Sequence, residues 1–264
     1  MLNRLRSFLE MIRFSHTLFA LPFALLSAAL AWQDQGHFSW LQLIGILLCM
    51  VFARSTAMAF NRLADQPFDA VNPRTANRHL PAGKLSRATV CAFTLLCAAS
   101  FIASTALFMV GEPSNPWPLI LSVPVLLFVC AYSFTKRFTA LSHFWLGASL
   151  LLAPFGAWIA IRGLENLAIP LVLGLAVLFW VAGFDIFYAC QDVDFDRKAR
   201  LHSVPAVLGV PRSLRVAAAC HAVMVLLLLA LAWTAQAYLG GIYLAGVAAV
   251  AGLLFYEHWL VRPD

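Results

Sequence analysis

Acidic residues are scarce in this chain, twelve Asp and Glu among 264 residues, and half of them fall into two groups. Asn61, Asp65 and Asp69 stand at i, i+4 and i+8, so on a helix one face presents an amide and two carboxylates. Asp185, Asp192, Asp194 and Asp196 form the second group. Each group ends an apolar run: Trp40 to Phe60 for the first, and a run closing near Phe187 for the second. Basic residues follow both closely, Arg74, Arg78 and Lys84 after the first and Arg197, Lys198 and Arg200 after the second. Carboxylates beside a bilayer are expensive to desolvate and need a partner. Mg2+ takes hard oxygen ligands, typically one or two carboxylates completed by phosphate oxygens and water. Two acidic groups with the same DxxxD spacing, each at the end of a membrane-length run, suit divalent cations held against a diphosphate at a membrane surface. Capping or solvation explains one Asp at a helix end, but not this repetition.

Arg54 lies seven positions before Asn61, two helical turns deeper in the apolar run and on the same helical face. An arginine there either snorkels, pairs with an acid, or awaits an anionic ligand group such as a carboxylate, which its planar fork suits. Tyr132 and Lys136, at i and i+4 where another apolar run ends, offer a hydroxyl and a cation near the same surface. Lys136 also fits a plain topological role. His16, His143, His221 and His258 show no metal-ligand spacing and read as polar interior or interfacial residues. Gly83, shortly after Pro81, reads as a turn. The cysteines at 49, 91, 97, 130, 190 and 220 lack CxxC spacing and read as small buried hydrophobes.

The elements that must position these groups are helices. With 62% hydrophobic and 11% charged residues, a soluble globular chain is excluded. The expected fold class is all-α, a polytopic transmembrane helical bundle with spans at 13–32, 40–60, 88–110, 117–134, 141–161, 168–188, 213–234 and 237–256. Residues 1–12 have the apolar spacing of a short interfacial helix. The net charge of +6 reflects topology rather than nucleic acid, and no nucleic-acid partner is expected. With the N-terminus inside, the inner loops hold nearly all lysines and arginines and the outer loops hold only Arg162. That places both acidic groups in the cytoplasm. The two halves also echo each other: Asp65 to Asp192 and Asp69 to Asp196 are both separated by 127 residues.

At these positions the chain resembles the UbiA family of membrane aromatic prenyltransferases. The likeness rests on Asn61, Asp65 and Asp69 with Arg74, Thr75 and Arg78 behind them, on Tyr132 with Lys136 and Arg137, and on Asp185, Tyr188, Asp192 and Asp196. The wording Met58-Ala59-Phe60-Asn61-Arg62, Arg78-His79-Leu80-Pro81-Ala82-Gly83 and Leu201-His202-Ser203-Val204-Pro205 is similar to the 4-hydroxybenzoate polyprenyltransferase group, part of which is associated with the futalosine route to menaquinone.

The resemblance implies one transmembrane prenyltransferase domain over 1–264 in a bacterial inner membrane, transferring a polyprenyl group from polyprenyl diphosphate to an aromatic acid in ubiquinone or menaquinone synthesis. It implies Mg2+ held by Asn61, Asp65 and Asp69 at one site and by Asp192 and Asp196, with Asp185 nearby, at the other. Arg78 and Lys136 match positions that hold phosphate oxygens, Arg54 matches the arginine facing the acceptor's carboxylate, and Tyr132 and Tyr188 join the substrate side. Three departures stand out: Pro67 between the first two aspartates, Asp65 and Asp69, His79 where many members have proline, and eight spans against the usual nine. The rival reading is a transporter or ion-coupled carrier whose acids bind a translocated cation, but carriers place such sites near the midplane.

Overall fold

The computed structural model of the chain describes residues 8, 10, 11, 19–110 and 114–261. Among them are ten α-helices and no strand. In order these are α1 (Leu21–Gln35), α2 (Trp40–Val71), α3 (Arg87–Thr105), α4 (Trp117–Thr135), α5 (Ser142–Arg162), α6 (Ala168–Ala189), α7 (Val193–Lys198), α8 (Val204–Leu208), α9 (Val210–Thr234) and α10 (Gly241–Leu260). A 3-10 turn, Ala106–Met109, extends α3, and another, Cys190–Asp192, joins α6 to α7. Seven stretches among the described residues are long and apolar enough to cross a membrane: Trp40–Val71, Arg87–Met109, Trp117–Thr135, Ser142–Arg162, Ala168–Lys198, Val210–Thr234 and Gly241–Leu260. The chain is thus a polytopic membrane protein, as the hydropathy pattern indicates. Of the expected span 13–32, α1 forms the second part, while positions 12–18, with Arg13 and His16, lie outside the described residues. So does the expected interfacial helix over 1–12, apart from Phe8, Glu10 and Met11.

The helices start where short polar side chains can satisfy a free backbone N–H. Ser39 caps α2 by accepting from Gln42 N at 3.4 Å, Ser86 caps α3 from Thr89 N at 3.1 Å, and Ser203 caps α8 from Ala206 N at 3.3 Å. The second helix runs eleven residues beyond the expected boundary at Phe60, because the helical spacing of its polar residues continues after the apolar run stops. Pro67 sits inside it. Its missing N–H removes only the bond to the Leu63 carbonyl, and the helix closes normally with Asn72 N donating to Phe68 O at 3.2 Å.

The described residues form two compact units. The first contains Phe38–Phe134, Ile159–Gly163 and the described residues before Phe23; the second contains Phe23–His37, Thr135–Trp158 and the described residues from Leu164 onward. In the first unit α2 packs most extensively on α3, and in the second α6 packs most extensively on α9. Each acid-bearing helix therefore leans on the next long helix after it, which is the element-level form of the 127-residue echo. Each unit also buries an apolar cluster beside its acids. Met11, Ala59, Leu80 and Val90 gather in the first unit, with Phe8 stacked on Phe93 at 4.7 Å. Ile186, Val204 and Ala217 gather in the second, with Phe187 packed against them. In the second unit Gly147 lies so close to the Leu178 carbonyl that any Cβ there would collide with backbone, which brings α5 and α6 into close approach.

Candidate active site

The first unit carries Asn61, Asp65 and Asp69 on successive turns of α2, as the i, i+4, i+8 spacing requires. Asn61 Nδ2 donates to Asp65 Oδ2 at 2.7 Å and reaches Ser133 Oγ on α4 at 3.4 Å, which leaves its amide oxygen as a further donor atom toward a ligand. Tyr132 neighbours Ser133 in the chain and is half-buried at the end of the same helix. Asp69, whose side chain is 8% exposed, accepts from Arg78 Nη1 at both carboxylate oxygens, at 2.7 and 2.8 Å. Arg78 is delivered by a compact loop. Arg74 N bonds Asn72 Oδ1 at 2.9 Å, Thr75 Oγ1 bonds Asp69 O at 3.1 Å, and Arg78 N bonds Thr75 O at 2.9 Å. Gly83 takes φ of +68°, the turn expected after Pro81 and a conformation that glycine adopts without strain.

Two turns deeper on α2, Arg54 is half-buried and its Nε is shielded from solvent without a hydrogen-bond partner. Neither Asp65 nor Asp69 bonds it in the arrangement above. Arg62, by contrast, is buried and donates to Met11 O at 3.5 Å, which marks it as part of the packing.

The second unit builds its acids differently. The helix breaks at Cys190–Asp192 and restarts as α7, so Asp185 sits on α6, Asp192 at the 3-10 turn, and Asp194 and Asp196 on α7. Asp194 is exposed and Asp192 half-buried, while the Asp196 side chain is only 2% exposed. Lys136 Nζ donates to Asp196 Oδ2 at 3.2 Å. The backbone tightens the same corner, with Leu201 N donating to Asp196 O at 2.8 Å and His202 N to Lys136 O at 2.7 Å. Arg200 holds φ of +55° in the turn between them. Tyr188 is exposed and continues a ladder of rings along α6, Trp180 to Phe184 at 6.5 Å and Phe184 to Tyr188 at 6.4 Å.

Sequence spacing did not single out His143. It is fully buried at the start of α5, with Nδ1 2.6 Å from Asp185 Oδ2 and Nε2 accepting from Val204 N at 3.2 Å. The partners are 42 and 61 residues away, so no local motif could have signalled them. Each unit thus pairs one deeply buried aspartate with a cation, Asp69 with Arg78 and Asp196 with Lys136, and keeps further acids nearby.

The donor set is the kind a hard divalent cation takes. Among the described residues no three acids, histidines or cysteines converge on one point. Neither unit by itself builds a closed protein cage. An open set of one or two carboxylates, completed by phosphate oxygens and water, is the usual environment of Mg2+.

Comparison with known proteins agrees with this chemistry. The profile of the UbiA prenyltransferase family matches residues 20–264. A 4-hydroxybenzoate octaprenyltransferase of Azoarcus sp. (strain BH72) is 34% identical over 215 residues, covering 80% of this chain and 70% of that protein. The enzyme of the same name from Burkholderia multivorans (strain ATCC 17616 / 249) is 32% identical over 234 residues, covering 87% and 76%. Among solved structures, the apo form of a UbiA homologue from Aeropyrum pernix K1 superposes with a TM-score of 0.84 at 34% identity, covering 93% of this chain and 89% of that one. A UbiA homologue from Archaeoglobus fulgidus bound to GPP and Mg2+ shares the fold, with a TM-score of 0.74 at 19% identity over 97% and 87% of the two chains. Membrane-length helices, two spaced acidic groups and a match over nearly the whole chain lead to one conclusion: this protein is a transferase that belongs to the UbiA prenyltransferase family.

Proposed function

We propose that this chain, acting as one prenyltransferase domain over 1–264, transfers a polyprenyl group from polyprenyl diphosphate to a ring carbon of an aromatic carboxylic acid. The acceptor is 4-hydroxybenzoate or a dihydroxynaphthoate, and the product serves ubiquinone or menaquinone synthesis. The observation that carries this reading is the pair of buried acid–cation contacts, Asp69 with Arg78 and Asp196 with Lys136, each beside further carboxylates at the end of an apolar helix. Cations already poised at carboxylates can turn to phosphate oxygens when a diphosphate arrives. The names of the curated relatives, 4-hydroxybenzoate octaprenyltransferases, support the acceptor class.

In this scheme Asn61, Asp65 and Asp69 offer oxygens to one Mg2+, and Asp192 and Asp196, with Asp185 nearby, offer them to another. When bound, Mg2+ neutralises the diphosphate so that it can leave as an anion. Arg78 and Lys136 hold phosphate oxygens and add to that neutralisation. Arg54 holds the acceptor's carboxylate through its planar fork, which answers the orphaned Nε. Tyr132 and Tyr188 border the substrates. The ring carbon beside the phenol oxygen attacks the allylic cation, and loss of a ring proton restores aromaticity. The protein lies in a bacterial inner membrane with both acidic ends cytoplasmic, as the distribution of lysine and arginine supports.

The test uses purified protein in lipid nanodiscs with polyprenyl diphosphate, Mg2+ and a panel of aromatic acids. Diphosphate and prenylated arene are expected together, and both disappear on chelation with EDTA. Full activity in excess EDTA, or no product with any arene tried, rejects the reading.

A further inference from the structure

His143 joins two parts of the second unit that the chain brings together from far apart. A backbone N–H can only donate, so the bond from Val204 N makes Nε2 of His143 an acceptor that carries no proton. The ring proton therefore sits on Nδ1 and is donated to Asp185 Oδ2 at 2.6 Å. Asp185 keeps its other oxygen, and its side chain remains 28% exposed while that of His143 is fully buried. Val204 is itself tied to the remaining acids: Ser203 caps α8, His202 N bonds Lys136 O, and Leu201 N bonds Asp196 O. One continuous set of bonds runs from the Lys136–Asp196 pair through backbone 201–204 and His143 to Asp185.

We propose that His143 is a positioning residue for the acidic site of the second unit. Its Nδ1–H fixes the orientation of the Asp185 carboxylate, and its Nε2 makes that orientation depend on the folded turn behind Asp196. The proposal rests on the prenyl-transfer reading only in taking Asp185 as part of the reacting site. A bland alternative exists, in which His143 is merely a satisfied core histidine. The two differ in what happens when its two bonds are removed one at a time.

His143→Asn keeps a donor where Nδ1 stands and removes the acceptor for Val204. His143→Gln keeps an acceptor where Nε2 stands and removes the donor to Asp185. A residue that acts through Asp185 gives a crossover. His143→Gln loses about 10–100-fold in kcat/KM per folded enzyme, the range seen when a partner orienting a ligand is removed, whereas His143→Asn loses less than about threefold. Thermal stability moves the other way, with His143→Asn the less stable because a buried N–H is left unpaired. Adding His143→Gln to Asp185→Ala is expected to cost nothing further, since each change breaks the same interaction. Activity losses that simply follow stability in both variants, or that multiply in the double variant, overturn the proposal. A second readout needs no turnover. In 15N-histidine NMR of the wild-type protein the His143 ring is expected to be neutral and protonated on Nδ1, and Asp185→Asn is expected to shift that signal. A ring protonated on Nε2 overturns the proposal even if prenyl transfer is confirmed. Failure of every arene, by contrast, rejects the reaction and leaves the NMR result to judge His143.

Discussion

Arg54 and the aspartates on α2 share one helix but face different tests. The Arg54 Nε is shielded without a partner, and an arginine inside a span is costly unless something offsets it. If the acceptor's carboxylate is that partner, Arg54→Lys keeps the charge and loses the two-pronged contact. The expected result is a rise in acceptor KM of roughly one to two decades, from losing a charge-assisted contact worth about 1.5–3 kcal/mol. The KM for the prenyl donor should stay nearly constant, and steady-state kinetics with each substrate varied in turn will show which one moves. A rise confined to the donor would instead put Arg54 at the diphosphate. The aspartates separate by structure as well. Asp65→Ala is expected to abolish turnover while leaving the protein in the membrane, because the change removes a carboxylate beyond the apolar part of α2 and leaves the apolar spans undisturbed. Asp69→Ala strips the partner from partly buried Arg78 and is expected to lower stability too, by up to about 3–5 kcal/mol. Thermal unfolding in detergent, measured beside activity, distinguishes the two.

The helices show what could be read in advance and what could not. Hydropathy located the long elements because lipid demands continuous apolar helices. It misplaced the end of α2, which continues to Val71, since hydropathy reports where the apolar run stops and not where the backbone stops being helical. The spacing of Asn61, Asp65 and Asp69 carried the better signal there. Lys136 and Asp196 were each legible as polar residues at span ends, yet their contact across 60 residues was not. The same holds for His143 and Asp185, since a contact between separate helices leaves no local period. The break at Cys190–Asp192 was likewise invisible, for it contains neither proline nor glycine. Helix approach provides a sharper test of the second unit. Gly147 meets the Leu178 carbonyl where no Cβ fits, and the obstacle is backbone, which cannot swing aside. Gly147→Ala should therefore push α5 from α6 and destabilise the protein by about 1–3 kcal/mol. Gly252→Ala on α10 has open space around it and serves as the neutral control. Equal unfolding temperatures for the two variants would contradict the close approach.

At the scale of the whole chain, the testable property is which side of the membrane each acidic end faces. Each unit closes its own acids with its own cation, and each does so where an apolar stretch gives way to basic residues. If both acidic ends serve one diphosphate, as proposed, both must open on one side of the membrane, and the distribution of lysine and arginine predicts the cytoplasmic side. The expected inner loops carry Arg74, Arg78, Lys84, Arg137, Lys198 and Arg200, whereas Arg162 is alone among the expected outer loops. Positive residues near span ends are retained in the cytoplasm, so both acidic ends are expected there. Single cysteines in a background without native cysteines test this in sealed cells. Asn77→Cys follows the first acidic group, Lys198→Cys follows the second, and Leu164→Cys lies in the expected outer loop; all three positions are exposed. An impermeant thiol reagent added outside should modify only the variant at 164, and permeabilising the cells should make the variants at 77 and 198 react as well. Labelling of one acidic end and not the other from outside would separate the two groups across the bilayer. No shared diphosphate site could survive that result, even if the protein proved to be active.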